Sequence, residues 1–228
     1  MGRMFAIADI HGCCRTFQQL LFNVIHLQKE DTLYLLGDYI DRGPDSKGVI
    51  DTIKGLQHDG YDVRPIMGNH ESLLIQSIES ELYNDLCVWL DLGGRATLKS
   101  YGVEHPEEIP VEHLNFIKVL PACLTTGTHV FVHAGLNFCL ADPLKESGQN
   151  FMLWDRMNRG VEPDKIGGRK VVAGHTVRSI DVIVESLESE FIQLDNGCYM
   201  GGAFKGTGSL IALELVSGEL FVQEKIDT

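Results

Sequence analysis

Short apolar runs that stop abruptly at polar clusters recur along this chain. Met4–Ala8 ends at Asp9-Ile10-His11-Gly12, and Leu33–Leu36 ends at Gly37-Asp38-Tyr39-Ile40-Asp41-Arg42-Gly43. Val63–Met67 ends at Gly68-Asn69-His70-Glu71, Thr128–Val132 at His133-Ala134-Gly135, and Lys170–Ala173 at Gly174-His175-Thr176. Runs this short, bounded by glycine, read as buried strands. Between them the period changes. Phe17, Leu20, Leu21, Val24 and Ile25 predict an amphipathic helix within residues 13–28. Val49, Ile50, Ile53 and Leu56 predict another, capped by Asp45-Ser46 and ending near Gly60. Leu73, Leu74 and Ile78 predict a third, starting at the Asn69 cluster. Strand, loop, helix, strand implies a parallel sheet with right-handed crossovers.

The pattern breaks over about 80–120. Leu86, Val88, Trp89, Leu90, Leu98, Leu114 and Ile117 give helical spacing interrupted by Gly93-Gly94 and by Pro106 and Pro110. This predicts a helical insert suited to substrate selectivity but without catalytic residues, with Trp89 in the core and His105 and His113 facing solvent. Beyond it, Val182–Val184, Phe191–Leu194 and a hairpin joined by Ser217-Gly218 predict a strand-rich, largely antiparallel final third. The glycine-rich loop Gly201–Gly208 lacks the Gly-Lys-Ser/Thr of a phosphate-cradling loop, and no amphipathic helix follows it.

Composition narrows the function. With 44% hydrophobic and 22% charged residues, the chain suits an ordinary globular core. A formal net charge of −13 disfavours sequence-independent nucleic-acid binding, which needs a basic face. It leaves room for a phosphorylated substrate where bound cations reverse the local potential. The six cysteines are irregularly spaced and read as free thiols of a reducing compartment. No run approaches the roughly 18 apolar residues of a membrane span, and there is no room for a signal peptide before Asp9. The expectation is a cytoplasmic protein with no membrane partner. Oligomeric state is not legible.

The five strand-end clusters hold oxygen and nitrogen donors and no thiolates. Asp9 and His11, two apart in an extended segment, point to the same side. Asp38 and Asp41 are too close to stay charged without a cation between them. Two divalent ions about 3.5–4 Å apart need around six protein ligands, one of them a shared carboxylate. Asp9, His11 and Asp38 would hold one ion, and Asp38, Asn69, His133 and His175 the other.

These motifs, Asp9-x-His11-Gly12, Gly37-Asp38-x-x-Asp41-Arg42-Gly43, Gly68-Asn69-His70-Glu71, His133-Ala134-Gly135 and Gly174-His175, resemble the ordered signature of the phosphoprotein phosphatase family of metallophosphoesterases. Leu153-Trp154-Asp155-Arg156 is most similar to the small bacterial and lambda-phage-type members, whereas Ala8 stands where that family usually has glycine. The resemblance implies an α/β (α+β) calcineurin-like fold: a central β-sandwich flanked by helices, with residues 1–228 as a single domain. It implies two divalent ions, manganese first, with iron or zinc suiting the same donors. It also implies serine/threonine phosphatase activity on a phosphorylated protein, by attack of a hydroxide bridging the ions. In that scheme His70, oriented by Asp41, protonates the leaving group, while Arg42, Arg156 and Asn69 bind the phosphoryl group; Arg159 is the second choice for Arg156. A weaker resemblance places Tyr199 at the site. The alternative within the superfamily is a dinucleoside tetraphosphate hydrolase. Retention of Asp41 tilts the expectation toward the protein phosphatase, because the resembling nucleotide hydrolases often lack that carboxylate.

Overall fold

The computed structural model describes residues 2–80, 82–156 and 160–228. Two sheets face each other. The first has five strands: β1 (Met4–Ile7), β2 (Thr32–Leu35), β3 (Asp62–Pro65), β8 (Ser209–Glu214) and β9 (Leu220–Glu224), in the order β3-β2-β1-β8-β9. The second has β4 (Cys123–Thr125), β5 (His129–Val132), β6 (Lys170–Ala173) and β7 (Phe191–Gln193), in chain order. Strands β1–β3 are mutually parallel, as are β5–β7; β8 runs antiparallel to β1 and β9, and β4 to β5. All five strands with clusters therefore deliver them at one end of the sandwich.

Ala6, Tyr34, Leu36 and Ile211 of the first sheet bury themselves against Phe131, Val172 and Ile192 of the second. Tyr34 stacks on Phe131 with ring centroids 3.9 Å apart. Phe5, Ile7, Leu33 and Leu35 point the other way, into a larger core with the helices. That alternation is the two-residue period of a strand buried on both faces.

Three helices follow the first three strands: α1 (Cys14–Gln19), α2 (Ser46–His58) and α3 (Asn69–Glu79). The first is shorter than its apolar spacing predicts, because it widens into a π-helical turn over Leu20–Val24. The second starts where expected, with the Asp45 carboxylate accepting from Gly48 N. The insert consists of α4 (Tyr83–Trp89), α5 (Arg95–Tyr101) and α6 (Val111–Lys118), packed against α2 and α3.

Three expectations fail. Val182–Val184 belong to a helix, Ile180–Ser186, because Ile180, Ile183 and Leu187 recur at helical spacing against the inter-sheet core, which outweighs the β-preference of the intervening valines. The final third is not largely antiparallel, since β6 and β7 pair in parallel. His113 is only 5% exposed, held between Tyr101 Oη and Asp51. The six cysteines are free. Among the described residues no helix is long and apolar enough to cross a membrane.

Candidate active site

Asp38 is the centre of the cluster. Its carboxylate lies 3.4 Å from His11 Nε2 through one oxygen and 3.4 Å from His133 Nε2 through the other. Two sets of ligand atoms share it, His11–Asp38–His70 and Asp38–His133–His175, with the atoms of each set within 4.8 Å of one another. Asn69 Oδ1 joins the second set, 2.8 Å from His133 Nε2 and 3.0 Å from His175 Nδ1. Asp9 lies in neither set; both its oxygens accept from His175 N at 3.0 Å. These residues are all buried, so the cluster is a polar pocket set inside the fold.

The backbone conforms to the side chains here. Asp9, His11, Asp38, Asp41, Arg42 and His175 all have positive φ, a region that non-glycine residues seldom occupy. Gly37 and Gly68 let the second and third loops touch: a Cβ on Gly68 would stand 2.3 Å from Asp38 N.

Two histidines are oriented for a cation. His11 donates from Nδ1 to the Ile40 carbonyl at 2.9 Å, and His133 donates from Nδ1 to the Leu36 carbonyl at 2.8 Å. A carbonyl only accepts, so Nδ1 of each ring is engaged and Nε2 is the nitrogen turned toward Asp38. Metal-binding histidines are commonly fixed in this way. The charges agree. Although burial pulls the other way, the Asp38 carboxylate raises His133 to about 10. Burial, then the His133 charge, lowers His175 to about 3. Buried His175 Nε2 has no hydrogen-bond partner among the described residues. Burial and Asp195 push Asp9 upward, while His133, His70 and His11 hold Asp38 well down against the effect of burial. Such a mixture of protonated and bare donors fits divalent cations, which replace the protons on nitrogen and neutralise the carboxylates.

Beside the cluster, His70 donates from Nδ1 to Asp41 Oδ2 at 2.7 Å. Its Nε2 stands 4.0 Å from Asp38. Arg42 stacks over the Tyr199 ring at 4.6 Å and places a guanidinium nitrogen 2.8 Å from His11 Nε2. Arg156 is exposed, and its charge reaches His175. Arg159 lies outside the described residues.

Four more residues join the site that sequence reasoning left out. Glu71 accepts from Asp38 N, Tyr39 N, Ile40 N and Gly68 N, bracing the central loop; burial and the Asp38 charge raise it to about 7. Its signal was a glutamate at the third position of a helix, the place of a capping partner. Asp195, raised to about 6 mainly by burial, follows β7 as the other clusters follow their strands. Trp89 and Thr97 come from the insert, which therefore does reach the cluster; both bond to Asp41.

The sequence profile of the calcineurin-like phosphoesterases matches residues 2–180. The chain belongs to this metallophosphoesterase family. Its fold is the calcineurin-like one, with two sheets and flanking helices. Over 96% of the chain and 97% of the relative's length, it is 23% identical to a symmetrical bis(5'-nucleosyl)-tetraphosphatase of Chromohalobacter salexigens. Other symmetrical tetraphosphatases are matched over 43% of their own length or less. A crystal structure of a candidate diadenosine tetraphosphatase superposes with a TM-score of 0.67 at 22% identity, covering 97% of this chain and 92% of that one. A serine/threonine protein phosphatase of Saccharomyces cerevisiae gives 0.56 at 16% identity, covering 100% and 81%. These structural likenesses establish the fold alone. The named sequence relatives overturn the expectation of a serine/threonine phosphatase acting on a phosphorylated protein. Asp41 misled here because its bond to His70 does not distinguish a serine ester from a phosphoanhydride.

Proposed function

We propose that this chain hydrolyses dinucleoside tetraphosphates symmetrically, with residues 1–228 acting as one domain. The observation that carries the reading is the similarity to a symmetrical tetraphosphatase along nearly the whole of both chains. In the reaction, oxygen from water joins one of the two inner phosphorus atoms. The bridging bond between them breaks, and two nucleoside diphosphates leave.

Asp9, His11, Asp38, Asn69, His133 and His175 would hold two divalent ions, Asp38 being common to both. When bound, such ions activate water and offset phosphoryl charge; manganese is the first to test, and iron and zinc suit the same donors. Arg42 and Arg156 bind the phosphate chain, their planar forks matching paired oxygens. Arg42 is pre-set for this by its stack on Tyr199 and its backbone bond to Gly93 O. His70 gives its Nε2 proton to the departing bridging oxygen, and Asp41 keeps Nδ1 protonated throughout. These arginines also supply local positive charge that the chain as a whole, at −13, lacks.

The test is product analysis. With manganese, diadenosine tetraphosphate should give ADP alone, and a phosphoserine peptide should be turned over far more slowly. Formation of ATP plus AMP, or preference for the peptide, would overturn the reading.

A further inference from the structure

Asp41 is held by more than its histidine. Oδ2 accepts from His70 Nδ1 at 2.7 Å and from Trp89 Nε1 at 3.0 Å, while Oδ1 accepts from Thr97 Oγ1 at 2.6 Å. Asp41 N donates to Ser46 Oγ and Thr97 Oγ1, each at 3.0 Å, and those two hydroxyls are 2.9 Å apart. Trp89 and Thr97 are wholly buried and stand 48 and 56 residues beyond Asp41 in sequence. They flank a sharp turn at Gly93, where φ is 129° and whose carbonyl accepts from Arg42 N at 3.3 Å. A Cβ on Gly93 would stand 2.8 Å from Arg42 Cγ.

A helical threonine usually returns its hydroxyl to the preceding turn of its own helix. Thr97 instead spends it on a distant carboxylate. Trp89 does the same with its only polar hydrogen. We infer that the helical insert is a positioning element of the reaction centre, in which Trp89 and Thr97 fix the plane of the Asp41 carboxylate and thereby the ring of His70. The Thr97 bond stops the carboxylate from rotating. The Trp89 bond pins the oxygen that faces His70 and keeps it in line with His70 Nδ1. The inference rests on the reading of His70 as proton donor.

The experiment is a double-mutant cycle with Thr97→Val, Thr97→Ser and His70→Asn, read on diadenosine tetraphosphate and on p-nitrophenyl phosphate. Loss of an outer partner of this kind costs about 10–100-fold in activity. Thr97→Val should lower kcat by that factor with little change in KM, Thr97→Ser should restore most of it, and Thr97→Val should add nothing to His70→Asn. Trp89→Phe, with its thermal melt checked, should behave as Thr97→Val does. Independently of turnover, the proton on His70 Nδ1 should give a downfield NMR line that weakens in Thr97→Val and returns in Thr97→Ser. Losses that multiply in the double variant, or an unmoved line in Thr97→Val, would overturn the inference. If His70→Asn keeps the wild-type rate, the proton-donor reading fails, and the NMR line still decides whether the insert sets the histidine.

Discussion

Strand β5 has a histidine at each end, and the two sit in opposite environments. His133, at the carboxyl end, is raised to about 10 by Asp38 despite its burial. His129, at the other end, is lowered by burial and then by Lys170. The end around His129 also holds a cavity of about 460 Å³, lined in part by Lys170, Leu213 and Gly218. Its polar groups are already engaged: Lys170 Nζ donates to Leu187 O, and the Glu214 carboxylate accepts from the backbone of Met4 and Val216. The end around His133 is crowded instead with buried charges on unusual backbone. Empty space therefore does not mark the working end of this sandwich; unresolved charge does.

The two ends should part most clearly at Asp38. Asp38→Asn should remove both ions and cost more than the roughly 100-fold expected for an outer partner. Elemental analysis still finding two ions would refute the shared role. Next comes His70→Asn. A general acid contributes about 10²–10⁴-fold, most for a poor leaving group. The loss should therefore be larger on phenyl phosphate than on diadenosine tetraphosphate, whose leaving oxygen is already a weak base, and metal content should stay normal. Equal losses on both substrates would argue against proton donation.

Chelation should act on stability as well as on rate. Asp38 and Asn69 follow strands of one sheet, while His133 and His175 follow strands of the other, so an ion at this point ties the layers together. A ligand at a hundred times its dissociation constant stabilises the folded state by about 2.7 kcal/mol. The melting temperature should fall on adding EDTA and recover with manganese. No shift would mean that the ions do not bind the folded protein tightly. The smallest effect belongs to the other end. Because the folded His129 binds its proton less readily than the unfolded one, the folded state holds fewer protons and stability is lost as pH falls below about 6.5. His129→Gln should flatten that loss in acid denaturation curves and leave turnover unchanged. A fall in turnover would show that the two ends are coupled.

The strand ends were legible because each candidate ligand lies within a few residues of the apolar run that carries it. Asp9, His11, Asp38, Asn69, His133 and His175 converge on one pocket as the clusters suggested, although Asp9 turns to a backbone amide. The insert was not legible in the same way. Trp89 reads as a core residue from its helical spacing, and it is one; its indole N–H has its partner 48 residues away, beyond any local pattern. His113 reads as solvent-facing because nothing nearby in sequence announces that Tyr101 and Asp51 close over it. The substrate was misread for a different reason. Asp41 speaks to proton transfer, whereas the choice between serine and nucleotide depends on what lies beyond the phosphate.

The left-handed residues at the working end carry one more consequence. Each L-residue in that conformation costs about 1–2 kcal/mol, a cost that glycine escapes. With six of them in the pocket, the protein holds a reserve of stability that it forgoes in order to act. Selection for heat resistance alone, without a demand for turnover, would replace the exposed Arg42 with glycine early, and the pocket would erode before the sheets did. Thermostable variants of this chain are best sought elsewhere, and any that arise at these positions should be screened first for lost activity.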